Sequence, residues 1–177
     1  PKPFVRIITH YDADGICSSA VLAGALKKQD VRFHVTFLKG LKDEFIEELN
    51  LEKLDCIFFL DMGSHNLEAI NDLTESGTRV IVLDHHRVQD PKEYEDIVHL
   101  NSNRFGMDGM SEACASTMAF LVALNLSEAN WDMAGVYLAG CIGDKQHQGG
   151  FSGINSQILK TGRAKNVIEE RLDLNLV

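Results

Sequence analysis

Basic residues are in short supply. Seventeen Lys and Arg face twenty-six Asp and Glu, a formal charge of −9, whereas a protein holding duplex DNA by phosphate neutralisation alone needs the opposite balance. Long apolar runs are missing too. No stretch approaches the roughly 20 residues that span a bilayer, and the opening from Pro1 to Arg6 lacks the apolar core of a signal peptide. The expectation is a cytoplasmic protein with no membrane partner. The 3 prolines leave no Pro-rich linker, and there is no internal repeat or low-complexity tract. The four cysteines, Cys17, Cys56, Cys114 and Cys141, form no C-x-x-C pair and no zinc-ligand spacing, so they read as reduced, buried thiols. What is present is an ordinary core: 177 residues, 45% of them apolar, are enough for one domain without disulfide or zinc support.

Apolar runs and helical periodicities alternate along the chain. Phe4 to Thr9, Val31 to Leu38, Cys56 to Leu60, Arg79 to Leu83 and Ile97 to Leu100 read as strands. Helices are expected over Gly15 to Lys28, Lys42 to Leu49 and Asn66 to Ser76, the last stopped by Gly77. A helical remainder follows at Ser111 to Leu124, Trp131 to Ile142, Ile154 to Leu159 and Asn166 to Leu172. Such alternation predicts an α/β fold with a doubly wound, mainly parallel sheet of about five strands flanked by helices.

Carboxylates recur at the strand ends. Asp12 and Asp14 follow the first strand, Asp61 follows Leu60, and Asp84 follows Leu83 at the head of Asp84-His85-His86. A lone aspartate after a strand is usually a turn or cap residue, but in an open α/β sheet the carboxyl ends share one rim, where ligands bind. Acids gathered there would repel one another unless divalent cations lay between them. The two-residue spacing of Asp12 and Asp14 points both side chains to one side of an extended segment, so one loop can serve two metals. Gly15 permits a tight turn into the next helix, whose N-terminal amides and Ser18 or Ser19 either face a substrate phosphate or serve as plain capping and packing. His85 and His86 alternate sides, one for metal and one for substrate. Asp84 is placed to accept the second ring N–H of a metal-bound histidine. Asp144, in the small-residue run from Ala139, completes the set, with a helix C-terminal turn as its alternative.

Taken in order, His10-Tyr-Asp12-Ala-Asp14-Gly15, Asp61, Asp84-His85-His86 and Gly143-Asp144 resemble the four motifs of the DHH phosphoesterases, and in particular the archaeal RecJ-like nucleases. The resemblance implies two Mn²⁺ or Mg²⁺ ions bridged by Asp61, with Asp12 on one and Asp14, His85 and Asp144 serving the other or shared. His10 stands two residues before the first aspartate, the RecJ-like spacing; in pyrophosphatase-type relatives a histidine stands four before, where this chain has Ile8. His10 either touches the first metal or lines the site. His86 is implied as a phosphate ligand, with Asp84 as a further catalytic candidate and His147 either contacting phosphate or the leaving group or standing as an ordinary surface histidine. A metal pair about 3.5–4 Å apart activates water and stabilises both oxygens of an in-line displacement at phosphorus. Arg87, Arg104 and Lys145 are the nearest cations, as phosphate contacts or as solvated surface charge. His34, His65 and His99 match no motif, and Trp131 reads as a packing residue.

Three functions follow from the resemblance. The first is 5′-directed exonuclease action on single-stranded DNA or RNA. The second is hydrolysis of short oligoribonucleotides or cyclic dinucleotides. The third is a replisome scaffold related to the inactive RecJ-like helicase subunit, which predicts lost ligands; here they are retained, although an active nuclease can still bind a replisome protein partner. The sequence reads as a single DHH domain over residues 1–177, with the family's C-terminal DHH-associated domain absent.

Overall fold

The computed structural model describes residues 3–52, 54–88 and 92–169. Five strands, β1 (Phe4–His10), β2 (Arg32–Leu38), β3 (Cys56–Leu60), β4 (Arg79–Asp84) and β5 (Ile97–Asn101), form one sheet in the order β2-β1-β3-β4-β5. Every neighbouring pair is parallel. Among the described residues six α-helices accompany the sheet: α1 (Ala13–Lys28), α2 (Asp43–Asn50), α3 (Leu67–Glu75), α4 (Ala115–Leu126), α5 (Ala134–Gly143) and α6 (Gly153–Ala164).

The central strands are apolar on both faces, which is why they read as continuous runs rather than as alternations. Val5, Ile7, Leu60 and Leu83 pack on one face against Val21 and Leu22 of α1, Met118 and Phe120 of α4 and Tyr137 of α5. Ile8, Ile57, Phe59, Val80 and Val82 pack on the other against Ile46 and Leu49 of α2 and Ile70 and Leu73 of α3. Helices on both faces make the sheet doubly wound. The strand order reverses between β1 and β3, so the crevice at their carboxyl ends, where Thr9 pairs with Leu60, is the expected ligand position.

Boundaries differ from expectation in the second half. Asp84 lies inside β4, which turns its side chain into the protein rather than into a loop. The segment expected as one helix from Trp131 to Ile142 is a 3₁₀ turn, Glu128–Met133, followed by α5. Trp131 packs edge-on to Phe120 at 5.4 Å, as a packing residue should. The helix expected over Asn166 to Leu172 lies partly outside the described residues; residues 166–169 are not helical. No helix among the described residues is long and apolar enough to cross a membrane.

Candidate metal centre

The site grows from four chain reversals at one sheet rim. Leaving β1, the chain turns so tightly that a Cβ on Gly15 would lie 2.2 Å from the His10 carbonyl oxygen, so only glycine fits. Asp12 then caps α1, its Oδ1 accepting from Gly15 N at 3.0 Å. Leaving β3, Asp61 adopts φ 57°, a left-handed conformation that is sparsely populated outside glycine, asparagine and aspartate. Its N–H donates to the Leu83 carbonyl at 2.9 Å, which pins the strained residue between β3 and β4. Asp14 is buried in the first turn of α1 and accepts from the Ala115 and Ser116 amides at 2.8 Å each, so it closes the N-terminus of α4. Asp144 caps the C-terminal end of α5.

These reversals bring acids and imidazoles into contact. His10 Nδ1 lies 3.0 Å from Asp12 Oδ2 and 3.4 Å from Asp61 Oδ2. His85 Nε2 lies 3.2 Å from Asp61 Oδ1 and 3.7 Å from Asp14 Oδ2, while His85 Nδ1 is 3.9 Å from Asp144 Oδ2. Among the described residues three sets have ligand atoms mutually close enough for one cation: His10, Asp12 and Asp61; Asp61, His85 and His86; Asp14, Cys114 and Asp144. Asp61 belongs to two of them. The donor chemistry fits hard or borderline divalent ions. Buried His10 Nδ1 faces two carboxylates and is aligned for a hydrogen bond with neither, as a ligand nitrogen waiting for a cation would be.

The family model for the DHH family, N-terminal domain, matches residues 4–141. The chain belongs to the DHH family. Among curated relatives it is 32% identical over 176 residues to an uncharacterized protein of Methanocaldococcus jannaschii, covering 97% of this chain and 39% of that one. It is 31% identical over 87 residues to the single-stranded-DNA-specific exonuclease RecJ of Thermus thermophilus, covering 46% of this chain and 13% of that one. Among solved structures, exonuclease RecJ bound to manganese superposes with a TM-score of 0.74 at 25% identity, over 92% of this chain and 43% of that one. The chain thus spans about two-fifths of the length of the archaeal relative and less of the Thermus exonuclease.

Electrostatics of the DHH cluster follow from crowding. Burial, reinforced by the charges of Asp14 and Asp12, pushes the Asp61 carboxyl up to about 7 despite its hydrogen bond with His85. Burial and the charge of Asp14 likewise raise Asp144 to about 6. For His85, burial opposes protonation, but Asp61, Asp14 and Asp144 overcome it and lift the imidazole to about 10. Without a metal, protons occupy the place of cations. Burial raises the Cys114 thiol well above the ordinary value, so in the metal-free chain it stays protonated.

The motif residues divide their labour differently from the sequence reading. Asp84 orients His86 rather than His85: its Oδ1 accepts from His86 Nδ1 at 2.7 Å and from the His85 amide at 2.8 Å, and its Oδ2 accepts from Ser64 N at 3.0 Å. Burial alone would raise this carboxyl, yet the His86 and Ser64 contacts hold it well below the usual range. His85 is oriented instead by the Gly109 carbonyl, 2.7 Å from its Nδ1, which leaves Nε2 for Asp61 and Asp14. Ser18 and Ser19 are buried and donate to the carbonyls of Gly15 and Ile16 within α1, which is the packing alternative; the cap of this helix is Asp12. Arg87 pairs with Asp108 and Arg104 with Glu93. His147 is exposed, and its side chain makes no hydrogen bond among the described residues.

Its neighbour Gln146 is the residue turned inward. Gln146 Nε2 donates to the Gly109 carbonyl at 2.8 Å and to Asp144 Oδ2 at 3.0 Å, and its Oε1 accepts from Asn155 Nδ2 at 2.7 Å. Gln146 therefore positions Asp144 directly and His85 through the carbonyl they share. Gln146→Ala is expected to lower metal-dependent turnover about 10–100-fold and to destabilise the fold by about 1–3 kcal/mol, since buried Asn155 Nδ2 loses its acceptor. Turnover at saturating Mn²⁺ together with urea unfolding checks both effects.

Proposed function

We propose that this DHH-family chain is the catalytic domain of a two-metal phosphodiesterase that acts as an exonuclease on single-stranded nucleic acid, with Mn²⁺ or Mg²⁺ as its ions. The observation that carries the reading is Asp61, whose two oxygens face different imidazoles, His10 on one side and His85 on the other. A carboxylate shared in this way is what a bridging ligand requires. In this reading His10 and Asp12 complete one ion's shell, and Asp14, His85 and Asp144 surround the other.

When bound, the ions supply an activated water and neutralise charge in an in-line displacement at phosphorus. The chain's own groups do the rest. His86 is half exposed, and its Nδ1 is held by Asp84. That contact raises its pKa, with burial in opposition, and so favours the protonated ring, whose Nε2–H would meet a non-bridging phosphate oxygen. Asp84, almost fully buried, acts as a positioning residue through His86. The scaffold alternative predicts an eroded site, whereas His10, Asp12, Asp14, Asp61, His85 and Asp144 are all retained.

Digestion of end-labelled single strands and dinucleotides with Mn²⁺, Mg²⁺ or chelator tests the reading. Mononucleotides released progressively from one end with Mn²⁺, and nothing with chelator, is the expected result. Faster cleavage of dinucleotides than of strands moves the assignment to short oligonucleotides. Inertness toward every diester tested with Mn²⁺ overturns it.

A further inference from the structure

Beside His10, Asp61, Asp84 and His86 the surface sinks into a cleft of about 190 Å³, whose far side is made by Lys39, Leu41, Met62, Gly63, His65 and Asn66. These residues come from the turns after β2 and β3, on either side of β1, so the cleft continues the metal groups along the sheet rim. Part of its lining is apolar: Met62 is buried, and Leu41 is partly buried against the core. The rim carries charge. Lys39 is exposed and faces no carboxylate among the described residues; its Nζ instead sits 5.9 Å above the ring of Tyr11, which is half exposed and lies edge-on to His10 at 4.9 Å. The arginines near the motifs are already paired with acids, and Lys39 is not.

A cation without an acid partner beside an acidic cluster is placed for an anion that the metals alone do not satisfy. The apolar stretch between them decides the chemical class. Inorganic polyphosphate would lay charged oxygens against Met62 and Leu41, whose side chains offer no donor, at a desolvation cost, whereas the flat, largely apolar body of a nucleoside suits that stretch and leaves His65 and Asn66 for its polar edges. We propose that this cleft is a nucleoside subsite: it seats the nucleoside joined to the scissile phosphate, and Lys39 contacts the phosphate beyond it. The proposal rests on the phosphodiesterase reading and narrows it to substrates with two phosphates one nucleoside apart.

Titration calorimetry with Ca²⁺ in place of Mn²⁺ measures it, using the thymidine dinucleotide TpT, its singly extended forms pTpT and TpTp, and tripolyphosphate. One of the two extended forms is expected to bind about tenfold tighter than TpT, the effect of one charge-assisted contact. Lys39→Ala should erase that difference and Lys39→Arg restore it; the side chain is exposed, so neither substitution threatens the fold. The proposal falls if both extended forms bind like TpT, if Lys39→Ala weakens all ligands equally, if tripolyphosphate binds tighter than either extended form, or if nothing binds. Hydrolysis of the same dinucleotides with Mn²⁺ reports separately on the enzymatic reading. Lys39-dependent binding without hydrolysis removes the enzyme and keeps the subsite, and hydrolysis without Lys39-dependence does the reverse.

Discussion

Asp61→Asn is expected to reduce Mn²⁺-dependent phosphodiester hydrolysis at least about 100-fold, the upper end of what a lost ligand-shell contact costs, and to leave the metal-free chain at least as stable as the unsubstituted one at pH 8. The two halves have one cause. Asp61 faces His10 with Oδ2 and His85 with Oδ1, so on the proposed two-ion reading losing its charge removes a donor from both positions at once. The isosteric amide keeps the side chain's shape and its place between β3 and β4. In the metal-free protein, however, Asp61 carries its charge under duress: burial and the charges of Asp14 and Asp12 raise it to about 7. Above that pH the folded state holds a buried carboxylate that the unfolded chain would solvate freely, and the amide relieves this cost. A structural aspartate of ordinary kind would show the opposite pattern, with both activity and stability falling. Turnover with Mn²⁺ beside thermal unfolding in chelator separates the two cases, and an Asp61→Asn protein within tenfold of full activity would contradict the bridging assignment.

The sequence carried the sheet because its signals are local. Buried runs such as Ile57 to Leu60 and Val80 to Leu83 are short, β-branched or aromatic and bounded by polar residues, and five of them separated by helical periods leave few topologies. Asp12, Asp14, Asp61 and Asp84 were legible for the same reason, since each closes an apolar strand run and strand ends share a rim, whereas Asp144 ends helix α5 and stands out only through the order of the motifs. Pairings made across the fold were not. Asp14 gives both oxygens to amides of α4 about a hundred residues away, and no local pattern announces that partner. Which histidine Asp84 holds depends on where β4 ends: the strand runs through Asp84, so its carboxylate points inward and reaches His86. Gln146 and His147 lie in a turn without helical or strand period, where nothing in the sequence says which faces inward. Lys39 and His65 match no motif and meet only because β2 and β3 flank β1.

Mn²⁺ is expected to raise the thermal midpoint by about 5–10 °C per occupied site at a hundredfold excess over its dissociation constant, and by more at pH 8 than at pH 5.5. The size follows from linkage, which gives about 2.7 kcal/mol at that excess and a few degrees per kcal/mol for a chain of this length. The pH dependence follows from the cluster. Asp144 and Asp61 have folded-state values raised to about 6 and about 7, above the ordinary carboxylate value of about 4. Their protonated forms therefore favour the fold at acidic pH, and this contribution is lost as pH rises through 6 and 7. His85, raised to about 10, contributes in the same sense: its stabilisation is complete below its ordinary value of about 6.5 and is lost toward 10. All three groups thus make the metal-free chain less stable from pH 5.5 to 8. A divalent cation reverses the trend, because it replaces the protons whose removal is costly, and its binding must release them. Differential scanning calorimetry with Mn²⁺ or chelator at both pH values measures the gap, and calorimetric titration in buffers of different ionisation enthalpy counts the protons. An equal Mn²⁺ shift at pH 5.5 and 8, or binding that releases no proton, would mean that manganese settles elsewhere than among Asp61, His85 and Asp144.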